Sequence, residues 1–160
     1  MFEKFGGHAM AAGLSLREEH LATFKQAFDR CVETKLTEEI AQPVVMSDGE
    51  LPAALFDLEA VRAIAGVGPW GQNFPEPVFD GEFYLVQQRI VGAKHLKLTL
   101  SPERYSSAVI DAIAFNVDLS VWPNDSIQKV KVAYRLDENI FRERSNLQLM
   151  IEYIEPVESD

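Results

Sequence analysis

Cysteine occurs once, at Cys31, and histidine three times in this 160-residue sequence. A single cysteine excludes an internal disulfide, and its register with a helical apolar stripe predicts a core position with no sign of redox chemistry. No apolar run approaches the roughly 18 residues of a membrane-spanning helix, and the first residues lack the basic and apolar regions of a secretory signal. The cytoplasm is the expected compartment. Basic residues are also in deficit, 15 Lys and Arg against 25 Asp and Glu, for a formal charge of −10. That balance runs against indiscriminate polyanion binding, which depends on Lys and Arg displacing counterions. What is present is a 47% apolar complement, enough for one cored domain or a domain with an appendage.

The charge is unevenly spread. From Arg89 to Arg144 there are nine basic and seven acidic residues, a net of +2, so the remainder carries −12. The basic residues are either scattered solvated groups or one side of a binding surface.

The stretch Gly66 to Phe79 divides the sequence by pattern, helical before it and strand-like after. Three glycines and three prolines exclude a helix interior, while Trp70, Phe74 and Phe79 give the loop an apolar content that predicts packing against the body of the domain. Before it, Leu21, Phe24, Phe28 and Cys31 fall on one face of a helix predicted from Glu18 to about Leu36, which needs a partner surface. Ser15 and Glu18 have capping-box spacing. Thr37 to Gln42 reads as a hinge, Pro43 to Leu51 as a strand interrupted by Asp48-Gly49, and Asp57 as the cap of a helix from Leu58 to Ala65.

After the loop, Phe83, Leu85 and Ile90 belong to one strand, and Leu96, Leu98 and Leu100 alternate with Lys97 and Thr99 in the next, joined by Gly92-Ala93-Lys94. Ala108 to Val117 is a nearly continuous apolar strand, expected to be covered on both sides. Lys129 to Leu136 and Leu147 to Ile154 complete the series, with turns at Pro123-Asn124-Asp125 and Asp137-Glu138-Asn139. Such short alternating strands suit a small closed barrel, in which closure removes exposed edges. Upstream, Gly6-Gly7-His8 would let the backbone approach a ligand, with a turn and a short helix expected after it.

Two segments carry a family resemblance. Phe5-Gly6-Gly7-His8-Ala9-Met10-Ala11-Ala12-Gly13-Leu14 resembles the motif near the end of the DHH-associated domain of the RecJ single-stranded-DNA-specific exonucleases. Gly68 to Phe79, with Val91-Gly92 and His95-Leu96-Lys97-Leu98, resembles the start of the oligonucleotide-binding (OB) domain of the same family. The implied fold is mainly β with α: residues 42–160 as an OB-fold five-stranded barrel, preceded in residues 1–41 by the Gly-Gly-His motif and amphipathic helix of the DHH-associated domain. The abrupt start inside a motif is expected of a C-terminal piece of a longer protein.

The resemblance implies a parent enzyme that degrades single-stranded DNA from its 5′ end in repair and recombination, using manganese or magnesium held by a DHH domain. With no Asp-His-His triplet, no metal ligands or catalytic residues are expected in this chain, and none of its own activity. Gly6, Gly7 and His8 are implied as substrate contacts near the scissile phosphate, not as metal ligands. His20 is expected to be solvated. For the barrel the resemblance implies a groove guiding single-stranded DNA, with phosphates on Arg89, Lys94, Lys97, Lys129 and Lys131, a backbone or base contact at His95, and bases stacking on Trp70, Phe74 or Tyr84. Core packing is the competing role for the aromatics, and a structural role, the commoner one for a strand histidine, is the competing role for His95. The alternative reading is a module that docks a single-stranded-DNA-binding protein or another repair protein, supported by the acidity outside residues 89–144.

Overall fold

The computed structural model describes residues 2–8, 11–36, 44–105 and 107–157, which belong to two compact units, Met1–Val44 and Val45–Asp160. In the first unit β1 (Phe2–His8) pairs antiparallel with β2 (Ala11–Leu16), setting Gly6 opposite Gly13, Gly7 opposite Ala12 and His8 opposite Ala11. A strand thus follows Gly-Gly-His where a short helix was expected. A Cβ on Gly7 would come within 2.8 Å of the Ala12 Cβ and 3.0 Å of the Ala11 carbonyl oxygen, so close pairing of the two strands itself calls for glycine there.

A 3₁₀ turn at Glu18–His20 leads into α1 (Leu21–Glu33). Ser15 is a β2 residue opposite Lys4, and neither helical segment has a side-chain cap, so the capping box is not formed. Phe24 and Phe28 lie 5.7 Å apart on the apolar face. Cys31 is exposed, contrary to its predicted core position, because no residue of α1 is buried. His20 is half-buried, not solvated, and its Nδ1 is enclosed. The hinge expected at 37–42, and the boundary drawn at 41/42, lie outside the described residues.

In the second unit the strand expected over Pro43–Leu51 contracts to a bridge between Glu50 and Asp80. Gly49, at φ +99°, takes a left-handed conformation that a strand cannot continue through. Asp57 caps α2 (Leu58–Val67), its Oδ1 accepting from the Ala60 amide at 2.8 Å. Val61 is buried and Ile64 packs on the core, while Arg62 reaches Glu138 at 2.8 Å.

The barrel strands are β3 (Phe79–Val91), β4 (His95–Ser101), β5 (Ile110–Ala114), β6 (Lys129–Phe141) and β7 (Arg144–Pro156). They close in the order β3-β4-β5-β7-β6, with β5 and β7 parallel and every other pair antiparallel. This is the five-stranded barrel of an OB fold. Leu96, Leu98, Leu100, Val130, Val132 and Leu149 fill it, each burial contributing about 1.5–3 kcal/mol. Tyr134 packs its ring 5.7–6.2 Å from those of Phe56, Phe79 and Phe83. Burial, then the nearby Glu50 and Asp80 carboxylates, push its phenol well above the ordinary value.

Two strand boundaries depart from expectation. β5 ends at Ala114 and alternates in burial, since Asn116 at φ +56° turns the chain away. β6 runs straight through Asp137-Glu138-Asn139, and the hairpin turns instead at Arg142 and Glu143, with φ of +48° and +63°. Of the aromatics in the Gly66–Phe79 loop only Phe79 packs on the core; Trp70 stacks within the loop on Phe74 at 4.8 Å, Phe74 itself is exposed, Gly71 and Phe74 exchange backbone hydrogen bonds, and Glu76 ties the loop to the barrel by pairing with Arg135 at 2.8 Å.

Candidate nucleic-acid interface

With Leu96, Leu98 and Leu100 turned into the barrel, His95, Lys97 and Thr99 face outward. A register shift between Leu85 and Gln87 switches the parity of β3, so that Gln88 and Ile90 join the inner side and Arg89 the outer. Pairing then lays one row across the outside of the barrel: Arg89 opposite Lys97, Lys97 opposite Ile113, and Ile113 beside Met150. Thr99, Asp111 and Gln148 form the adjoining row.

Two loops stand at opposite ends of this β4–β5 face. At one, Gly92-Ala93-Lys94 joins β3 to β4, with Gly92 at φ +61°. There the His95 Nδ1 accepts from the Asn116 amide at 3.3 Å, and the imidazole meets the half-exposed Phe115 ring edge-on at 5.0 Å. His95 therefore holds the β5 exit in place. At the other end the β6–β7 hairpin projects beyond the last β5–β7 pair, Asp111 with Gln148. Its tip carries Ile140 and Phe141, 69% and 62% exposed, with the Arg142 guanidinium 5.1 Å over the Phe141 ring and Arg144 opposite Phe141.

The expected basic contacts do not form one surface. Lys97 lies on the β4–β5 face but pairs with Asp111 at 3.0 Å. Lys129 and Lys131 sit where the first half of β3 meets β6, opposite Tyr84 and Glu82. Those positions are five and seven residues along β3 from Arg89, on the order of 16–23 Å. Lys129 pairs with Glu82 at 2.6 Å, which holds the Glu82 carboxyl below its usual range and raises Lys129. Lys131 stands in register between Glu82 and Glu155. Among the described residues Arg89, Lys94, Arg142 and Arg144 form no ion pair.

Of the expected stacking surfaces, Trp70 has a ring face already covered by Phe74, and Tyr84 lies 5.7 Å from the Lys129 ammonium on the β3–β6 side. Phe141 was not anticipated; its signal was the basic stretch ending at Arg144, obscured by placing the turn at residues 137–139. Gly6, Gly7 and His8 belong to the β1–β2 hairpin of the other unit. Among the described residues no cluster of three His, Cys, Asp or Glu side chains could hold a metal ion.

A family model described as the RecJ OB domain matches residues 47–153. The chain is 49% identical over 160 residues to the single-stranded-DNA-specific exonuclease RecJ of Haemophilus influenzae, covering 99% of this chain and 28% of that protein. To the protein of the same description from Escherichia coli it is 46% identical over 157 residues, covering 98% and 27%. It thus spans about a quarter of the length of the curated relatives it matches. The crystal structure of RecJ in complex with Mg2+ from Thermus thermophilus superposes with a TM-score of 0.62 at 23% identity, over 99% of this chain and 24% of that one. A likeness at that identity speaks for the fold alone.

Proposed function

The chain belongs to the RecJ OB-domain family, and from that premise we propose that its barrel holds single-stranded DNA along the β4–β5 face as part of a longer single-stranded-DNA-specific exonuclease. One observation carries this reading: four cations without ion-pair partners among the described residues, Arg89, Lys94, Arg142 and Arg144, border one barrel face at both ends, with the exposed Phe141 ring beside Arg142. Cations without carboxylate partners are free to replace counterions on phosphates, and exposed rings offer bases a sequence-indifferent stack. The face between the two loops is also the surface on which OB folds bind oligonucleotides.

In this reading residues 1–41 are the end of a DHH-associated domain, and Gly6, Gly7 and His8 meet the strand near the scissile phosphate. Phosphodiester hydrolysis, with its manganese or magnesium, belongs to a DHH domain of the longer protein, in the cytoplasm and in the service of DNA repair and recombination. This chain alone is expected to release no nucleotides from single-stranded DNA in the presence of manganese.

The test is equilibrium binding of unrelated single-stranded oligonucleotides over a salt series. Each phosphate contact should contribute about 0.7 to the slope of log affinity against log salt. Arg89→Glu and Arg142→Glu should weaken binding alike for every sequence and lower that slope. Affinity and slope unchanged in both variants would remove the β4–β5 face from consideration.

A further inference from the structure

Among the described residues, part of the β7 edge is left open. β7 pairs with β5 only from Gln148 to Ile151, because β5 ends at Ala114, yet β7 continues against β6 as far as Pro156. Along Glu152–Pro156 the side of β7 that β5 would have covered therefore has no ladder partner among the described residues. The chain that leaves β5 does not fill the gap. It is drawn toward the β3–β4 loop, where the Val117 amide donates to the Lys94 carbonyl at 3.0 Å, and is pinned to the core by buried Trp122. Between that segment and the β7 edge lies an open groove of 460 Å³.

The groove's lining gives its chemistry. Phe115, Val121 and Tyr153 are 41–50% exposed, an apolar wall beside unpaired backbone. Every charged residue lining it is acidic: Asp118, Glu152 and Glu155. Glu152 is held by Arg135, and Glu155 accepts from the Tyr153 hydroxyl at 2.9 Å across from Lys131. Asp118 has no basic partner among the described residues; Ser120 supplies its hydrogen bonds, which hold its carboxyl below the usual range. A nucleic-acid strand would be repelled here.

We propose that the Glu152–Pro156 edge of β7 is a docking site for an extended segment of a partner protein in which apolar and basic residues alternate. Backbone hydrogen bonds to the open edge would add it to the barrel as a further strand, its apolar side chains entering the groove and its basic ones facing Asp118 and Glu155.

The probes are fluorescent octapeptides alternating Lys with Val, Ile or Phe, matched versions carrying Glu for Lys, and two versions N-methylated at odd or at even amides. The Lys peptides should bind the 160-residue chain and slow amide exchange at residues 152–155. The Glu versions and one of the two N-methylated versions should bind at least about tenfold more weakly, the other N-methylated version nearly as well as the parent. Asp118→Asn with Glu155→Gln, which keeps both acceptors, should weaken the Lys peptides severalfold. The proposal fails if no Lys peptide binds at roughly millimolar concentration, if the Glu peptides bind equally, or if both N-methylated versions bind like the parent. Concentration-dependent dimerisation that protects residues 152–155 without peptide would assign the edge to a second copy and also overturn it.

Discussion

Two groups of basic residues sit on the outside of the same barrel with opposite fates. On the β3–β6 side, Lys129 closes on Glu82, and register sets Lys131, which itself forms no ion pair among the described residues, across from Glu82 and Glu155, so carboxylates of the sheet stand against both lysines. On the β4–β5 side, register sets Arg89 across from Lys97, two like charges that destabilise a sheet. Of the two, only Lys97 finds a carboxylate among the described residues, at Asp111. A like-charged pair kept opposite one another is more readily understood if an anion outside the chain relieves it. Pairing register thus separates a structural face from the proposed binding one, although both draw on the same residue types.

The largest effect should come from breaking the binding side. Arg89→Glu combined with Arg142→Glu removes two of the proposed phosphate contacts, so the salt slope for single-stranded DNA should fall by about 1.4 and affinity by more than about tenfold at low salt. Lys129→Glu combined with Lys131→Glu changes charge equally, yet it should alter affinity far less and appear chiefly as lost stability in urea, with carboxylates left facing Glu82 and Glu155. Equal losses of DNA affinity from the two doubles would erase the distinction between the faces.

Aromatics sharpen the comparison at a smaller scale. Phe141→Ala should reduce single-strand affinity by roughly 1–3 kcal/mol with little change in salt slope, as expected of a ring on which a base stacks. Trp70→Ala should leave affinity nearly intact and lower stability, by less than the roughly 3–5 kcal/mol of a fully buried aromatic, since its partner is Phe74 and it is half-buried. Reversal of these two outcomes would return the stacking role to Trp70.

The barrel was legible because Leu96, Leu98 and Leu100 alternate without interruption, and a two-residue period dictates which side chains go inward. The β6–β7 hairpin was not, because Arg142 and Glu143 adopt positive φ without the Asn-Gly or Asp-Gly signature of such turns. Misplacing that turn hid Phe141 and Arg142. The strand expected at Pro43–Leu51 carried the right apolar residues, but Gly49 breaks it and leaves a single bridge. Separation of Lys129 and Lys131 from Arg89 depends on which half of β3 each neighbour pairs with, a long-range fact that local pattern does not encode. The same holds for the open β7 edge, which exists only because β5 stops at Ala114.

The smallest expected effect inverts the comparison. Glu82→Gln removes the carboxylate that Lys129 binds and that lies across from Lys131, leaving the β3–β6 side two cations with only Glu155 in register. Single-strand affinity should then rise slightly, by no more than about threefold, with a slope increase below the roughly 0.7 of one full contact. The pH dependence has a definite sign. Glu82 is lowered and Lys129 raised by their shared hydrogen bond. The Glu82 contribution to stability is present above its unfolded value and is lost as pH falls through the depressed folded value. The Lys129 contribution is present below its unfolded value and is lost as pH rises through the raised one. Wild type and Glu82→Gln should therefore differ in urea midpoint at neutral pH and converge in acid once Glu82 is protonated. A difference that persisted unchanged into acid would mean that the charge on Glu82 is not what keeps the β3–β6 lysines engaged within the sheet.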